Sequence, residues 1–420
     1  MSATSSQEAF IYAGGRSAFG RHAGALAAVR PDDLLAHVIK QVVADSDFPA
    51  DAYEDVVIGN TNQAGEDCRN VARFAALCAG LPTSVGGITV NRLCGSGLAA
   101  TLDAARMVKS GEGDLVLAGG VESMSRAPLV MSKARSAYDR SQQIADSTLG
   151  ARFSNPAYTE TYGNDSMPET ADNIGKDLNI SRADSDHFAA ASQAKYEAAR
   201  AAGFFQQEII PVEVQQGRKH PPRTVDADEH PRPQSTPETL AALRPLFGGG
   251  ASKANGSGGG AESGIVTPGN ASGINDGAAA LIVGNREAGE KHGVQPRVRI
   301  LTGAVAGVEP RVMGLGPVFA IRKALQRASL TLNDMDIIEI NEAFATQVLG
   351  CLKLLEIDFN DSRVNPNGGA IAIGHPLGAS GARIALTTMR QMERSKARYA
   401  AISLCIGIGQ GIAAILERME

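Results

Sequence analysis

The stretch Asn91-Arg92-Leu93-Cys94-Gly95-Ser96-Gly97 follows a short β-branched run, Ile88 to Val90, and precedes an amphipathic segment beginning near Leu98. Strand, glycine-rich turn and helix in that order place a cysteine at the head of a helix. Free N–H groups there lower a thiol pKa and can face an oxyanion, so this is where an α/β enzyme would set a nucleophile. A buried structural thiol is the alternative reading. Outward from this point the apolar period predicts a helix over 98–108, with strands at 56–58 and 115–118. Further upstream, Pro31, Asp32 and Asp33 lead into Leu34, Leu35, Val38, Ile39, Val42 and Val43, a helix over 30–45 with acids in its first turn.

A second unit of the same kind closes the chain. Strand character returns at 279–283 and 298–301, a helix opens at Pro317, and strands follow at 337–340 and 402–404. Asn60 and Asn341 each end a strand, and 34 residues on from each lies a glycine-framed reactive side chain, Cys94 in one case and His375 in the other. His375 sits in a glycine-rich run from Gly368 to Gly381 that opens a helix. The repeated spacing reads as a duplication whose halves bring these two side chains to a shared switch point. A neutral imidazole beside a thiol serves as its base, whereas a packed, satisfied histidine is the plainer reading.

Cys405 follows the strand at 402–404 and leads into Ile406-Gly407-Ile408-Gly409-Gln410-Gly411. The alternating glycines resemble a nucleotide loop, but too little chain follows them for a βαβ unit of roughly 30 residues. A second proton-exchanging thiol fits better. Asn341 carries an amide able to hold a water or substrate oxygen, and taken alone it reads equally as a turn residue.

Between these units the chain changes texture, with more charge and proline and one long helix over 181–203, capped by Ser181 and Asp184. The division expected is an N-terminal half at 1–121 plus 270–292, an inserted domain at 122–269, and a C-terminal half at 293–420. Within the insert, Gly248 to Gly264 reads as a mobile surface loop.

Composition narrows the function classes. The 420 residues suffice for two or three cored lobes, and 47 glycines with only 5% aromatics suit an α/β enzyme rich in tight turns. A net charge of −5 without a basic stripe disfavours nucleic acid, and no apolar run is long enough to span a membrane. Cys68, Cys78, Cys94, Cys351 and Cys405 form no C-x-x-C pair, which excludes a zinc ribbon or disulfide framework. The opening residues show no basic or apolar targeting pattern, so a cytoplasmic location is expected.

The blocks at Asn91 to Gly97, Asn341 to Ala345, Gly374-His375-Pro376 and Cys405 occur in the order and spacing of the thiolases, which the chain resembles from Ala9 to Glu417. Asn62 to Asp67, Gly119 to Pro128 and Asp165 to Thr170 are similar to the 3-oxoadipyl-CoA thiolases of aromatic degradation. The resemblance implies an α/β thiolase fold of two five-stranded αβαβα halves with an inserted loop domain, and a homodimer or homotetramer. It implies Cys94 as the acyl-accepting nucleophile, His375 as its base and Cys405 as the acid/base that moves the α-proton. Asn341 would hold the water of one oxyanion hole, and the N–H groups of Cys94 and Gly407 would form the other. Met167, Arg232, Phe247, Ser272, Met313 and Phe344 match positions lining coenzyme A, a co-substrate, with no tightly bound cofactor and no metal implied. Two departures stand out: Ser166 lies where many acetoacetyl-CoA thiolases have histidine, and Ile408 where many thiolases have glycine.

The reaction implied is cleavage of a 3-oxoacyl-CoA by CoA, with 3-oxoadipyl-CoA giving succinyl-CoA and acetyl-CoA. Arg152 is one of several arginines that could meet a terminal carboxylate. The other readings are an acetoacetyl-CoA or general 3-ketoacyl-CoA thiolase, a decarboxylating condensing enzyme, and a non-catalytic acyl-CoA or lipid carrier.

Overall fold

The computed structural model describes residues 8–217, 220–247 and 264–420. The glycine-rich run expected to be a mobile loop lies, but for Gly264, outside the described residues. In chain order the principal elements are β1 (Phe10–Ser17), α1 (Pro31–Ala44), β2 (Asp55–Gly59), α2 (Val71–Cys78), β3 (Ile88–Val90), α3 (Ser96–Ser110) and β4 (Leu115–Ser123). Then come α4 (Met167–Leu178), α5 (Arg182–Ala201), β5 (Asn275–Gly284), β6 (Val298–Gly307), α6 (Gly316–Ala328) and β7 (Ile337–Ile340). The chain ends with α7 (Ala345–Leu355), α8 (Leu377–Ser395), β8 (Tyr399–Ile406) and β9 (Gln410–Arg418).

The strands form one hydrogen-bonded path, β7-β8-β9-β6-β1-β5-β4-β2-β3. Its two wings meet only where β1 pairs with β6, through Phe10 with Arg299 and Ile11 with Val298. In the N-terminal wing β2 pairs in parallel with both β3 and β4. In the C-terminal wing β7 pairs in parallel with β8, and the place of a fifth strand is taken by a single bridge from Ile338 to Val364. There the Asn365 side chain bonds both the N–H and the C=O of Ile340, at 2.9 Å each, and does the work of a strand backbone.

Residue alternation along the strands builds five layers. Leu281 and Val283 of β5 face inward, with Ile402, Leu404, Ile412 and Leu416 from β8 and β9, onto a core made by α3 and α8. Ala280 and Ile282 of the same β5 face outward onto α1 and α2. Ala401, Ala413 and Ile415 face outward onto α6 and α7. The order α/β/α/β/α follows from this period-two sorting, with α3 and α8 sealed in the middle.

The segment between β4 and β5 holds more helix than its composition suggests. Besides α5, it contains the 12-residue α4, with a Ser166/Glu169 capping box and Pro168 in its first turn. The polar composition of α4 hid its period, although the S-x-x-E signal was present. Among the described residues no helix is long and apolar enough to cross a membrane.

Candidate active site

Cys94 lies in a sharp turn between β3 and α3. Leu93 takes a left-handed φ of 45°, and its N–H is held by Asn91 Oδ1 at 2.9 Å. Ser96 Oγ accepts the Arg92 N–H at 2.8 Å and donates to Leu93 O at 2.7 Å. These bonds hold the thiol half-buried at the head of α3. His375 lies in the matching turn before α8, its N–H donating to Asn275 Oδ1 at 2.9 Å.

The two turns meet because the helices they open touch. A Cβ on Gly97 would lie 2.6 Å from Gly378 O, and one on Gly378 would lie 2.3 Å from Val121 O and 2.7 Å from Gly59 O. Only glycine backbone allows α3, α8 and the ends of β2 and β4 to approach so closely.

The tautomer of His375 follows from its partners. Ser380 Oγ donates to Pro376 O at 2.8 Å, so its contact with His375 Nδ1 at 2.6 Å is an N–H donated by the ring. Nε2 is therefore the unprotonated nitrogen, and the Asn341 amide nitrogen lies 3.5 Å from it as a long donor. Asn341 Oδ1 is buried with no partner among the described residues and is an open acceptor. Burial, with the Arg383 guanidinium adding to it, pushes the His375 pKa down to about 3, so the ring is neutral.

Cys405 is the penultimate residue of β8, is 1% exposed, and packs with Met313, Ala343 and Phe344. Burial raises its thiol, and the neighbouring Cys94 raises it further. The Gly407 N–H and the Cys94 N–H both donate toward the Cys94 sulfur. Here the helix-terminus expectation of a lowered thiol pKa is corrected: burial outweighs those two donors and pushes Cys94 up to about 11. At neutral pH the free protein holds a thiol and a neutral imidazole.

Of the other residues singled out in the sequence, Met167 heads α4, its sulfur 3.6 Å from where a Gly407 Cβ would lie. Ser272 donates its N–H to Ala343 O, beside the bridge from Ala271 to Phe344. Arg232 is exposed and reaches the site only indirectly, through Gln193, whose amide also holds Ile371 O. Phe247 is half-buried at the edge of the described residues, its C=O accepting the Gly264 N–H. Sequence reasoning missed Ser380, Asn275, Glu342 and Glu122. Glu342 is buried and accepts from Ser192, Asn365 and the Ile371 N–H, fixing the turn that leads to His375. The Asn341-Glu342 pair and Ser380 lay inside the quoted motifs, but their partners are distant in sequence. Among the described residues no group of three His, Cys, Asp or Glu could hold a metal.

Residues 9–287 match the family described as Thiolase, N-terminal domain, and residues 294–418 match Thiolase, C-terminal domain. The chain is a thiolase. It is 52% identical to the 3-oxoadipyl-CoA/3-oxo-5,6-dehydrosuberyl-CoA thiolase of Escherichia coli K12, over 98% of this chain and all of that one. It is likewise 52% identical to the beta-ketoadipyl-CoA thiolase of Pseudomonas aeruginosa, over 99% of this chain and all of the relative. Among solved structures, the acetyl-CoA acetyltransferase of Bacillus anthracis superposes with a TM-score of 0.90 at 35% identity, over 99% of this thiolase and 100% of the other chain. Human mitochondrial 3-ketoacyl-CoA thiolase in complex with CoA superposes with a TM-score of 0.88 at 37% identity, over 98% of each chain. The fold is the thiolase fold, and the thiolase is an acyltransferase.

Proposed function

We propose that this thiolase cleaves 3-oxoadipyl-CoA with CoA to succinyl-CoA and acetyl-CoA, through an acyl group carried on Cys94. The observation that carries the reading is the tautomer fixed by Ser380, which leaves His375 Nε2 as a free base. Full-length identity of 52% to relatives named for this substrate supports the choice of acyl chain.

His375 Nε2 takes the Cys94 proton as the sulfur bonds to C3. With a thiol near 11 and an imidazole near 3, a resting ion pair is unfavourable, so proton transfer accompanies attack. The resulting alkoxide receives the N–H groups of Cys94 and Gly407, which already point at the sulfur. Collapse breaks the C2–C3 bond and leaves acyl-Cys94 and the enolate of acetyl-CoA. A water on Asn341 Oδ1 and the protonated His375 stabilise the enolate oxygen, and Cys405 gives its proton to C2. The Cys405 thiolate then takes the proton of the incoming CoA thiol, whose sulfur attacks acyl-Cys94. Cys94 leaves and recovers its proton from His375.

Met167, Ser272, Met313 and Phe344 would line the pantetheine path, with Arg232 and Phe247 at its outer end. Arg152 would meet the terminal carboxylate. Its Nη2 donates to Ser147 O at 2.9 Å, and Ser147 also holds the Asn62 amide, next to the Thr61 carbonyl that takes the Asn91 side chain. The division into halves 1–121 plus 270–292 and 293–420 around an insert at 122–269, a homo-oligomer and a cytoplasmic location belong to the same reading. β4 itself runs two residues past the first boundary, to Ser123.

Turnover of 3-oxoadipyl-CoA, acetoacetyl-CoA and a long-chain 3-oxoacyl-CoA, compared on one preparation, tests the substrate. The first is expected to give the highest kcat/KM, and a preference for either of the others would replace it. Cys94→Ala should abolish cleavage of all three; a variant that cleaves at the normal rate would remove the acyl-enzyme.

A further inference from the structure

The two wings share a register that assigns each reactive residue a counterpart. Gly59 pairs with Gly120, and Ile340 pairs with Ser403. Asn60 and Asn341 follow the first members of these pairs. Two positions beyond the second members stand Glu122 in the N-terminal wing and Cys405 in the C-terminal wing. The place that carries the second thiol in one half therefore carries a carboxylate, 2% exposed, in the other.

That carboxylate joins the two turns of the active site. One oxygen accepts the Thr61 N–H at 3.1 Å and the Gly378 N–H at 2.9 Å, and the other accepts the Asn62 N–H at 3.2 Å. Thr61 O in turn receives the Asn91 amide at 3.0 Å, and Asn91 shapes the Cys94 turn. Gly378 is the second residue of α8, three residues after His375 and two before Ser380. Its N–H is one of the unpaired donors of a helix start, where a negative charge is favoured.

We propose that Glu122 is a positioning residue for thiolysis, which fixes the distance between the Cys94 turn and the His375 turn and keeps the Cys94 proton on sulfur until the base removes it. The proposal rests on the roles given above to Cys94 and His375. The second part follows from charge: burial raises the Cys94 thiol most, and the Glu122 carboxylate adds to that rise. A group serving packing alone would be better uncharged, since burying a carboxylate carries a desolvation penalty that an apolar side chain avoids. Burial, with Asp67 adding to it, raises the Glu122 pKa to about 7, which is the mark of that penalty.

The test uses full-length Glu122→Gln and Glu122→Asp. Three quantities are read: kcat and KM for thiolysis, the rate of carboxamidomethylation of the Cys94 peptide by iodoacetamide at one alkaline pH, and the melting temperature. Mass spectrometry of the peptide separates Cys94 from the exposed Cys68 and Cys78. Glu122→Gln should lose roughly tenfold to a hundredfold in kcat, the scale of a misplacement of about 1 Å, with KM for CoA within about twofold. Its Cys94 should alkylate faster than wild type, because the charge is gone. Glu122→Asp, which keeps the charge, should hold the wild-type alkylation rate and recover part of kcat.

Wild-type kcat in Glu122→Gln, or equal alkylation of Cys94 in all three proteins, would overturn the proposal. So would a loss of kcat matched by the loss of folded protein. A wild-type protein inactive on every 3-oxoacyl-CoA would instead overturn the functional reading, and the alkylation comparison would still decide whether Glu122 acts on Cys94.

Discussion

The N-terminal wing sets Asn60 just after β2 and Glu122 near the end of the parallel β4, and the C-terminal wing sets Asn341 just after β7 and Cys405 near the end of the parallel β8. The two asparagines have opposite fates. The Asn60 amide donates to Val121 O and Asp67, and its Oδ1 accepts the Gln63 N–H, so its hydrogen bonds are spent inside the fold. Asn341 turns its amide nitrogen toward His375 and leaves Oδ1 open. The same backbone position is bonded into the fold in one half and, among the described residues, keeps an open acceptor in the other.

The sharpest way to break this comparison is to substitute both asparagines. Asn341→Ala should lower kcat by about a hundredfold, or ~3 kcal/mol in barrier, with little change in melting temperature. Asn60→Ala should leave buried Asp67 and Val121 short of a donor and lower stability by about 1–3 kcal/mol in denaturant unfolding. Equal effects on kcat and stability from the two variants would mean that the halves do not divide labour in this way.

The next test separates the wings by pH. His375 is 5% exposed and its pKa is depressed from 6.5 to about 3, so the unfolded chain gains a proton below pH 6.5 that the native protein refuses. The stability from this group is complete above pH 6.5 and is lost as pH falls toward 3. Between pH 6.5 and 4.5 the loss should reach about 2–3 kcal/mol, and His375→Asn should show a correspondingly shallower decline in urea midpoint. Parallel declines in the two proteins would place the acid sensitivity elsewhere.

Ser380→Ala removes the acceptor of the Nδ1 proton and frees the ring to take the other tautomer. A fall in kcat of roughly tenfold is expected, with unchanged KM for CoA, measured by loss of the 3-oxoacyl-CoA enolate absorbance. The smallest effect concerns Ile408, a β-branched residue held at φ 67° in the turn after Cys405. Replacement by glycine should relieve strain and stabilise the protein by about 1 kcal/mol in thermal unfolding, without touching the Gly407 N–H.

The residues of the candidate site are legible in the sequence because they sit in short, local signatures. Cys94 and His375 are framed by glycines, a β-branched run lies just before the Cys94 turn, and a short apolar run precedes Cys405. The sequence misleads on the state of Cys94 because the helix start is a local feature, while the burial that raises the thiol comes from distant chain. Glu122 and Ser380 carry no legible role in the sequence, since a carboxylate or hydroxyl acquires one only from its partners: Thr61, Asn62 and Gly378 in one case, the His375 ring in the other. β1 lacks strict alternation and contains two glycines, so its place at the centre of the sheet was not legible before the pairing partners were known.

That placement of β1 bears on how the chain is made. Besides Ile209 and Ile210 its ladder partners are β5 and β6, so this strand pairs with residues 279–284 and with Val298 and Arg299, far later in the chain. Nearly three hundred residues must emerge before it can be sealed, and until then Phe10 and Ile11, both fully enclosed in the finished protein, stay uncovered. Such long-range closure slows folding and lengthens the exposure of a bare strand edge during synthesis, the interval in which a holding chaperone has most to do.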